Sequence, residues 1–233
     1  MKFKIEREPY YEGEKIFSKK TLEIEPNTIT CFIGCNGSGK TTLCNEIKNS
    51  IYEQGKTKEV VVDFFHNALK DIMCGEDKGK YENYILDFDK HTDTTTSEGD
   101  YYMNAFSIAY SSTGEGIMRR LGDHMSVIGS TIRALKNKRL FIFLDDCDAG
   151  TSIDMIDDIN SILNVMVYDC IKNNLEFYII LTANSYELCK GCDCISVHDF
   201  KHKKFRSYEA YKKFVLKSRE LKDKRCPKEK ENE

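Results

Sequence analysis

Eight consecutive residues, Gly34-Cys35-Asn36-Gly37-Ser38-Gly39-Lys40-Thr41, carry the spacing G-x-x-x-x-G-K-[ST]. That spacing suits one task, the grip on a polyphosphate. Glycines let the backbone curl so that successive N–H groups converge on an anion, and a helix opening at Lys40 adds the positive end of its dipole. Lys40 is placed to reach β- and γ-phosphate oxygens, and Thr41 to offer its hydroxyl to Mg²⁺. Asn36, Gly37, Ser38, Gly39 and Thr42 complete the predicted phosphate-binding set. A plain glycine-rich turn would not need an apolar strand before it and a helix after it, and this loop has both. The second half of such a site is an acidic residue at the end of a buried strand. Leu140-Phe141-Ile142-Phe143-Leu144 ends in Asp145-Asp146, so Asp145 is the predicted metal-holding carboxylate. Taken alone, an Asp pair there is more often a turn or a helix cap.

The elements that must position these residues can be read from periodicity. The opening reads as short strands at Lys2–Glu6, Lys15–Phe17, Leu22–Ile24 and Ile29–Ile33, with turns at Glu12-Gly13 and Pro26-Asn27. After Gly39 the period becomes helical, through Leu43, Ile47 and Ile51. Val60–Phe65 is a strand candidate, and His66–Tyr110 is polar and gives no clear pattern. From Gly114 the apolar positions Ile117, Leu121, Met125, Ile128, Ile132 and Leu135 mark a long amphipathic helix. Leu140–Leu144 has no alternation and suits a central parallel strand covered on both faces. A helix over Ile153–Ile171, a strand over Phe177–Leu181, a short strand at Cys194–Val197 and a helix over Ser207–Lys217 follow. Alternating strands and helices predict a three-layer α/β P-loop core with a mainly parallel sheet, an antiparallel N-terminal side sheet and a small helical or variable lobe at about 64–112. Residues 1–220 form the predicted single domain and 221–233 a charged, fraying tail.

Composition narrows the classes. The chain has 233 residues, 40% hydrophobic and 31% charged, as an ordinary globular protein does. No apolar run approaches the eighteen or so residues of a membrane span, so no membrane insertion is expected. The charged start Met1–Arg7 lacks a signal core. The ten cysteines are then expected as reduced thiols in a cytoplasmic protein. The net charge of −3 hides a basic end, with 13 Lys or Arg against 6 Asp or Glu after residue 200. Within it, Lys201–Arg206 reads as a solvated hairpin in preference to a DNA-binding strip. Cys189, Cys192 and Cys194 with His198 invite a zinc reading. Only one knuckle is present, however, and Cys194 falls at an inward strand position, so the cysteines read as core.

Three further segments give the chain a resemblance to ATP-binding-cassette (ABC) ATPases. Ser111-Ser112-Thr113-Gly114-Glu115 resembles the family's signature motif, in an S-S-G-E-like form found outside transporters; as residues alone it also satisfies a capping box. Leu144-Asp145-Asp146-Cys147-Asp148-Ala149-Gly150 is similar to the D-E-x-D-A run of the SMC and RecF-like branch. Ile180–Leu188 resembles the switch segment, with Asn184 where the family usually has His. The resemblance implies a Mg·ATP-binding ATPase that dimerises around nucleotide, Ser112 and Gly114 meeting the γ-phosphate held by the other subunit's Lys40. It implies Asp146 as the residue orienting the attacking water, Asn184 as the switch residue, and Tyr11 as the aromatic on adenine. Asp146 is one methylene shorter than the usual Glu and Asn184 cannot titrate near neutral pH, so slow turnover is expected. The family's core-to-lobe glutamine has no match, although Asp89 lies in about its place. An arm-less head of this kind is expected to work with an unidentified partner protein in DNA-related, phage or defence functions, with DNA a possible ligand. The rivals are a transporter's nucleotide-binding subunit and a non-hydrolysing ATP-sensing module.

Overall fold

The computed structural model describes residues 1–6, 17, 19–60, 80–89, 128–135, 137–148 and 151–225. Strands β1 (Lys2–Lys4) and β2 (Thr21–Glu23) pair antiparallel as a two-stranded side sheet. The main sheet holds β3 (Thr28–Ile33), β4 (Thr57–Glu59), β5 (Asn83–Asp89), β6 (Arg139–Asp145), β7 (Glu176–Thr182), β8 (Asp193–Ser196) and β9 (His202–Lys203). Its order is β4-β5-β6-β7-β3-β8-β9. All neighbours are parallel except the closing pair β8 and β9. The described helices are α1 (Lys40–Glu53), α2 (Ile153–Lys172), α3 (Tyr186–Cys189) and α4 (Tyr208–Arg225), with helical residues also at 128–134.

Strand periodicity explains the three layers. On β6, Leu140, Ile142 and Leu144 face one core and Phe141 and Phe143 the other, and all five are buried. The first core is covered by Ile156, Ile159, Leu163 and Met166 of α2. The second is covered by Leu43, Ile47 and Ile51 of α1, and by Phe3 and Leu22 from the side sheet. Phe141 stacks on Tyr178 with ring centroids 4.8 Å apart, and Phe3 meets both rings edge-on. A strand buried on both faces has no reason to alternate polar with apolar, which is why β6 reads as a continuous apolar run.

Several boundaries differ from expectation. β5 is a full member of the main sheet, although it falls within the region expected to be a variable lobe. Its sequence, Asn83–Asp89, mixes polar with apolar residues and hid the strand. A strand at Thr57–Glu59 precedes the one expected at Val60–Phe65, of which residues 61–65 lie outside the described set. The last helix continues past Lys217 to Arg225, into the predicted tail, because its second half docks on the body of the protein. Of the hairpin expected at Lys201–Arg206, only His202–Lys203 is strand; it pairs back on Asp193–Ser196, so the hairpin begins earlier, and His202 is exposed. Lys15 and Ile16 of the strand expected at Lys15–Phe17, and most of the helix from Gly114, lie outside the described residues.

Candidate functional site

Three adjacent parallel strands, in the sheet order β6-β7-β3, end at the same edge. That arrangement gathers segments far apart in sequence: the loop 34–40 after β3, Asp145–Asp148 after β6 and Thr182–Ser185 after β7. Ligands of open α/β sheets bind at this carboxyl edge.

The loop itself is built for close approach. A Cβ on Gly34 would lie 2.4 Å from Ser38 Oγ and 2.9 Å from Val197 Cγ2, so no side chain fits there. Gly39, the residue before α1, has φ of 101°, a left-handed conformation that costs other residues roughly 1–2 kcal/mol. Lys40 is buried, and its ammonium donates to Gly34 O at 3.2 Å, Cys35 O at 3.4 Å and Asn184 Oδ1 at 3.0 Å. Ser38 Oγ is buried without a hydrogen-bond partner among the described residues. A buried cation satisfied by neutral oxygens beside an orphaned hydroxyl is a cradle with polar capacity to spare. These features fit an anionic ligand. Thr41 is exposed on the first turn of α1, and Asn36 and Gly37 are exposed on the loop.

The acidic side is wired to β7. The Thr182 hydroxyl donates to Asp145 Oδ1 at 2.5 Å and accepts the Asp146 N–H at 2.8 Å. Thr182 is fully buried, so this bridge fixes the Asp145 carboxylate at the strand end. Asp146 has φ of 51°, a left-handed geometry in which Asp and Asn are the best tolerated non-glycine residues. Asn184 Nδ2 donates to Asp146 Oδ1 at 2.9 Å, while Asn184 Oδ1 accepts from Lys40. The amide therefore bridges the phosphate-loop cation and the predicted water-orienting carboxylate, oxygen toward the cation and nitrogen toward the anion.

Four residues that sequence reasoning did not assign to the site hold it in shape. Asp148 Oδ2 accepts the backbone N–H groups of Asn184 at 2.8 Å and Ser185 at 2.6 Å. Tyr211 of α4 donates its hydroxyl to the Asn184 carbonyl at 3.0 Å. Burial, first of all, pushes the Tyr211 phenol well above its ordinary value and keeps it a donor. Ser218, also on α4, accepts the Cys35 N–H at 2.9 Å and meets His198 Nε2 at 2.6 Å. Lys222 donates to Asn36 O at 3.2 Å, over Gly37. Residues 211, 218 and 222 recur at helical spacing on one face of α4, but nothing in their types points to a loop 180 residues earlier in the chain. Tyr11, Ser112 and Gly114 lie outside the described residues, as does Ala149-Gly150. Asp89 ends β5, opposite Asp145 in the register.

No family model matches the sequence, and no curated protein matches it. Solved structures do. A nucleotide-free ATP-binding cassette from an ABC transporter has 16% identity and a TM-score of 0.43 over 91% of this chain and 95% of that one. The ABC-transporter cassette MJ1267 has 15% identity and a TM-score of 0.45 over 95% and 96%. A dimeric cassette in a post-hydrolysis state, bound to ADP and Pi, has 13% identity and a TM-score of 0.42 over 89% and 99%. What this site can do is read from its own geometry. Among the described residues, no helix is long and apolar enough to cross a membrane.

Proposed function

We propose that the chain is an ABC-type ATPase that binds Mg·ATP, hydrolyses it slowly and closes a dimer around it. The observation that carries this reading is the Lys40–Asn184–Asp146 chain, which joins a buried phosphate-loop lysine to a carboxylate through one amide. Lys40 would exchange its neutral acceptors for β- and γ-phosphate oxygens, so that both partners of each hydrogen bond are charged. Asn184 would turn its amide from Lys40 to the γ-phosphate, and Asp146 would orient the attacking water. Thr41 and Asp145 would hold Mg²⁺, which when bound neutralises charge on the phosphates. Thr182 keeps Asp145 in place for that task. Asn184 has no ionisable group, so no pH dependence is expected from it near neutrality. Ser112 and Gly114 would meet the γ-phosphate of the other subunit, and Tyr11 the adenine. Work in DNA-related, phage or defence processes with a partner protein is the favoured setting, on the likeness of Asp145–Gly150 to the SMC and RecF-like branch.

The test is the mass of the Asp146→Asn chain with and without Mg·ATP, by light scattering or ultracentrifugation, alongside phosphate release by the wild type. A nucleotide-dependent dimer with turnover below about 10 s⁻¹ is expected. A chain that binds ATP yet stays monomeric would refute the shared site, and ATP binding with no phosphate release would leave a sensing module.

A further inference from the structure

Beneath the phosphate loop, three elements bring cysteine sulfurs together. Cys31 comes from β3, Cys189 from the end of α3 and Cys194 from β8, and all three are buried. Their Sγ atoms lie within 4.8 Å of one another, with Cys31 and Cys189 at 3.7 Å. Cys192, the middle cysteine of the local run, is not in the group and donates instead to Leu188 O at 3.3 Å. His198 is engaged at Ser218. The trio is thus a tertiary site, and differs from the Cys189-Cys192-Cys194-His198 set that sequence spacing brings to mind.

We propose that Cys31, Cys189 and Cys194 form a closed, three-sulfur site for a thiophilic monovalent metal ion of the copper(I) class. Thiolates select such soft ions, whereas hard ions prefer oxygen. An ion about 2.3 Å from each of three sulfurs in a plane sets them roughly 4.0 Å apart, within the span seen here, so only small side-chain shifts are needed. Among the described residues no fourth His, Cys, Asp or Glu joins the group, and its burial keeps a water ligand out. Three ligands suit monovalent copper; structural zinc is almost always four-coordinate. The Cys194 thiol donates to the Cys189 carbonyl at 3.2 Å, which holds its sulfur at the end of α3. Ligation needs thiolates, so uptake of the ion releases thiol protons.

The site also has a route to the nucleotide end. Cys189 ends α3, which opens directly after Asn184-Ser185, and Tyr186 of α3 packs on Tyr211, whose hydroxyl donates to the Asn184 carbonyl. A Cys189 sulfur drawn toward an ion would shift α3 against Tyr211, and the Tyr211 hydroxyl would pass that shift to the loop that carries Asn184. This last step rests on the proposed nucleotide reading; the metal site itself does not.

The experiment is an anaerobic titration of the full chain with copper(I), supplied as its acetonitrile complex, against a chromogenic copper(I) chelator. One equivalent held by the wild type is expected. It should weaken at least about 100-fold in Cys31→Ser, Cys189→Ser and Cys194→Ser, since loss of a ligand costs no less than loss of its outer-shell support. Cys192→Ser should bind as the wild type does. X-ray absorption on the copper-loaded wild type, which needs no variant to fold, should show three sulfurs at about 2.3 Å. Binding unaffected by the three substitutions, or a copper shell of two sulfurs or of nitrogen and oxygen, would overturn the site. A copper-induced change in ATP affinity that is absent in Tyr211→Phe is expected; equal changes in both would overturn the coupling alone.

Discussion

The two ends of the main sheet are built on opposite terms. At the amino edge the strong groups of the described residues are matched. Arg139 holds both carboxylate oxygens of Glu176, at 2.8 and 3.2 Å, and reaches Asn83 Oδ1 at 3.1 Å. Tyr178 adds its hydroxyl to Glu176, Asn27 Oδ1 accepts the Phe177 N–H, and Lys138 caps the Tyr81 carbonyl. At the carboxyl edge the matching is incomplete. Lys40 is buried on neutral oxygens, Asp146 stands in a left-handed conformation, and Ser38 Oγ and Asp148 Oδ1 are buried without partners among the described residues. An edge that only has to hold strands together can saturate its polar groups. An edge that has to receive a ligand keeps some of them in reserve, at a cost in stability.

The sharpest way to break this comparison is Lys40→Ala. It should lower ATP affinity by about 100-fold or more, since charged hydrogen bonds contribute roughly 1.5–3 kcal/mol each and Lys40 would make more than one. Calorimetric titration that finds undiminished affinity would remove the carboxyl edge as the ligand site. The fold should survive, because the edge loses a buried cation whose hydrogen bonds go only to neutral oxygens.

Asp146 gives the next largest effect. Asp146→Asn should lower steady-state phosphate release by at least about 10-fold, as the loss of a positioned base does. Asp146→Glu should keep or raise turnover through its longer reach, while lowering the melting temperature, because Glu tolerates φ of 51° less well than Asp. If Asp146→Glu is as inactive as Asp146→Asn in a fast wild type, the shorter carboxylate is an adapted base.

Ser218→Ala tests whether α4 belongs to the carboxyl edge. It leaves the Cys35 N–H buried without its acceptor, a loss of about 1–3 kcal/mol in denaturant unfolding, together with weaker nucleotide binding. Lost stability with unchanged ATP affinity would make the helix a brace with no bearing on the loop.

The smallest effect belongs to the amino edge. The Arg139 hydrogen bonds hold the Glu176 carboxyl below its usual range. A depressed folded value stabilises the protein above the unfolded one, near pH 4.3, and that gain is lost as pH falls through the folded value. Glu176→Gln should therefore cost no more than about 1 kcal/mol at neutral pH, given the pair's exposure, and nothing once the carboxyl is protonated. Activity should not change. A pH-independent difference would mean that packing, not charge, is what Glu176 supplies.

Local pattern was enough where the physics is local. The loop from Gly34 to Thr41 needs a fixed spacing because one curl of backbone makes the cradle. The apolar run Leu140–Leu144 announces a doubly covered strand because both its faces are buried. Asp145, Asp146 and Asn184 were placed at strand ends because each closes or follows such a run. Strand β5 was not, since its mix of polar and apolar residues matches neither pattern, and pairing with β4 and β6 alone makes it a strand. The end of α4 was missed because Lys- and Glu-rich sequence reads as tail, and only docking of Ser218 and Lys222 on the phosphate loop orders it. The bridge from Lys40 through Asn184 to Asp146, and the meeting of Cys31 with Cys189 and Cys194, join residues up to 163 positions apart. Sequence alone determined that this chain carries a glycine-rich loop between a strand and a helix, and an acidic strand end. Which side chains meet there was decided by the sheet order β6-β7-β3-β8, because parallel strands set side by side deliver their carboxyl ends to one edge whatever their distance along the chain.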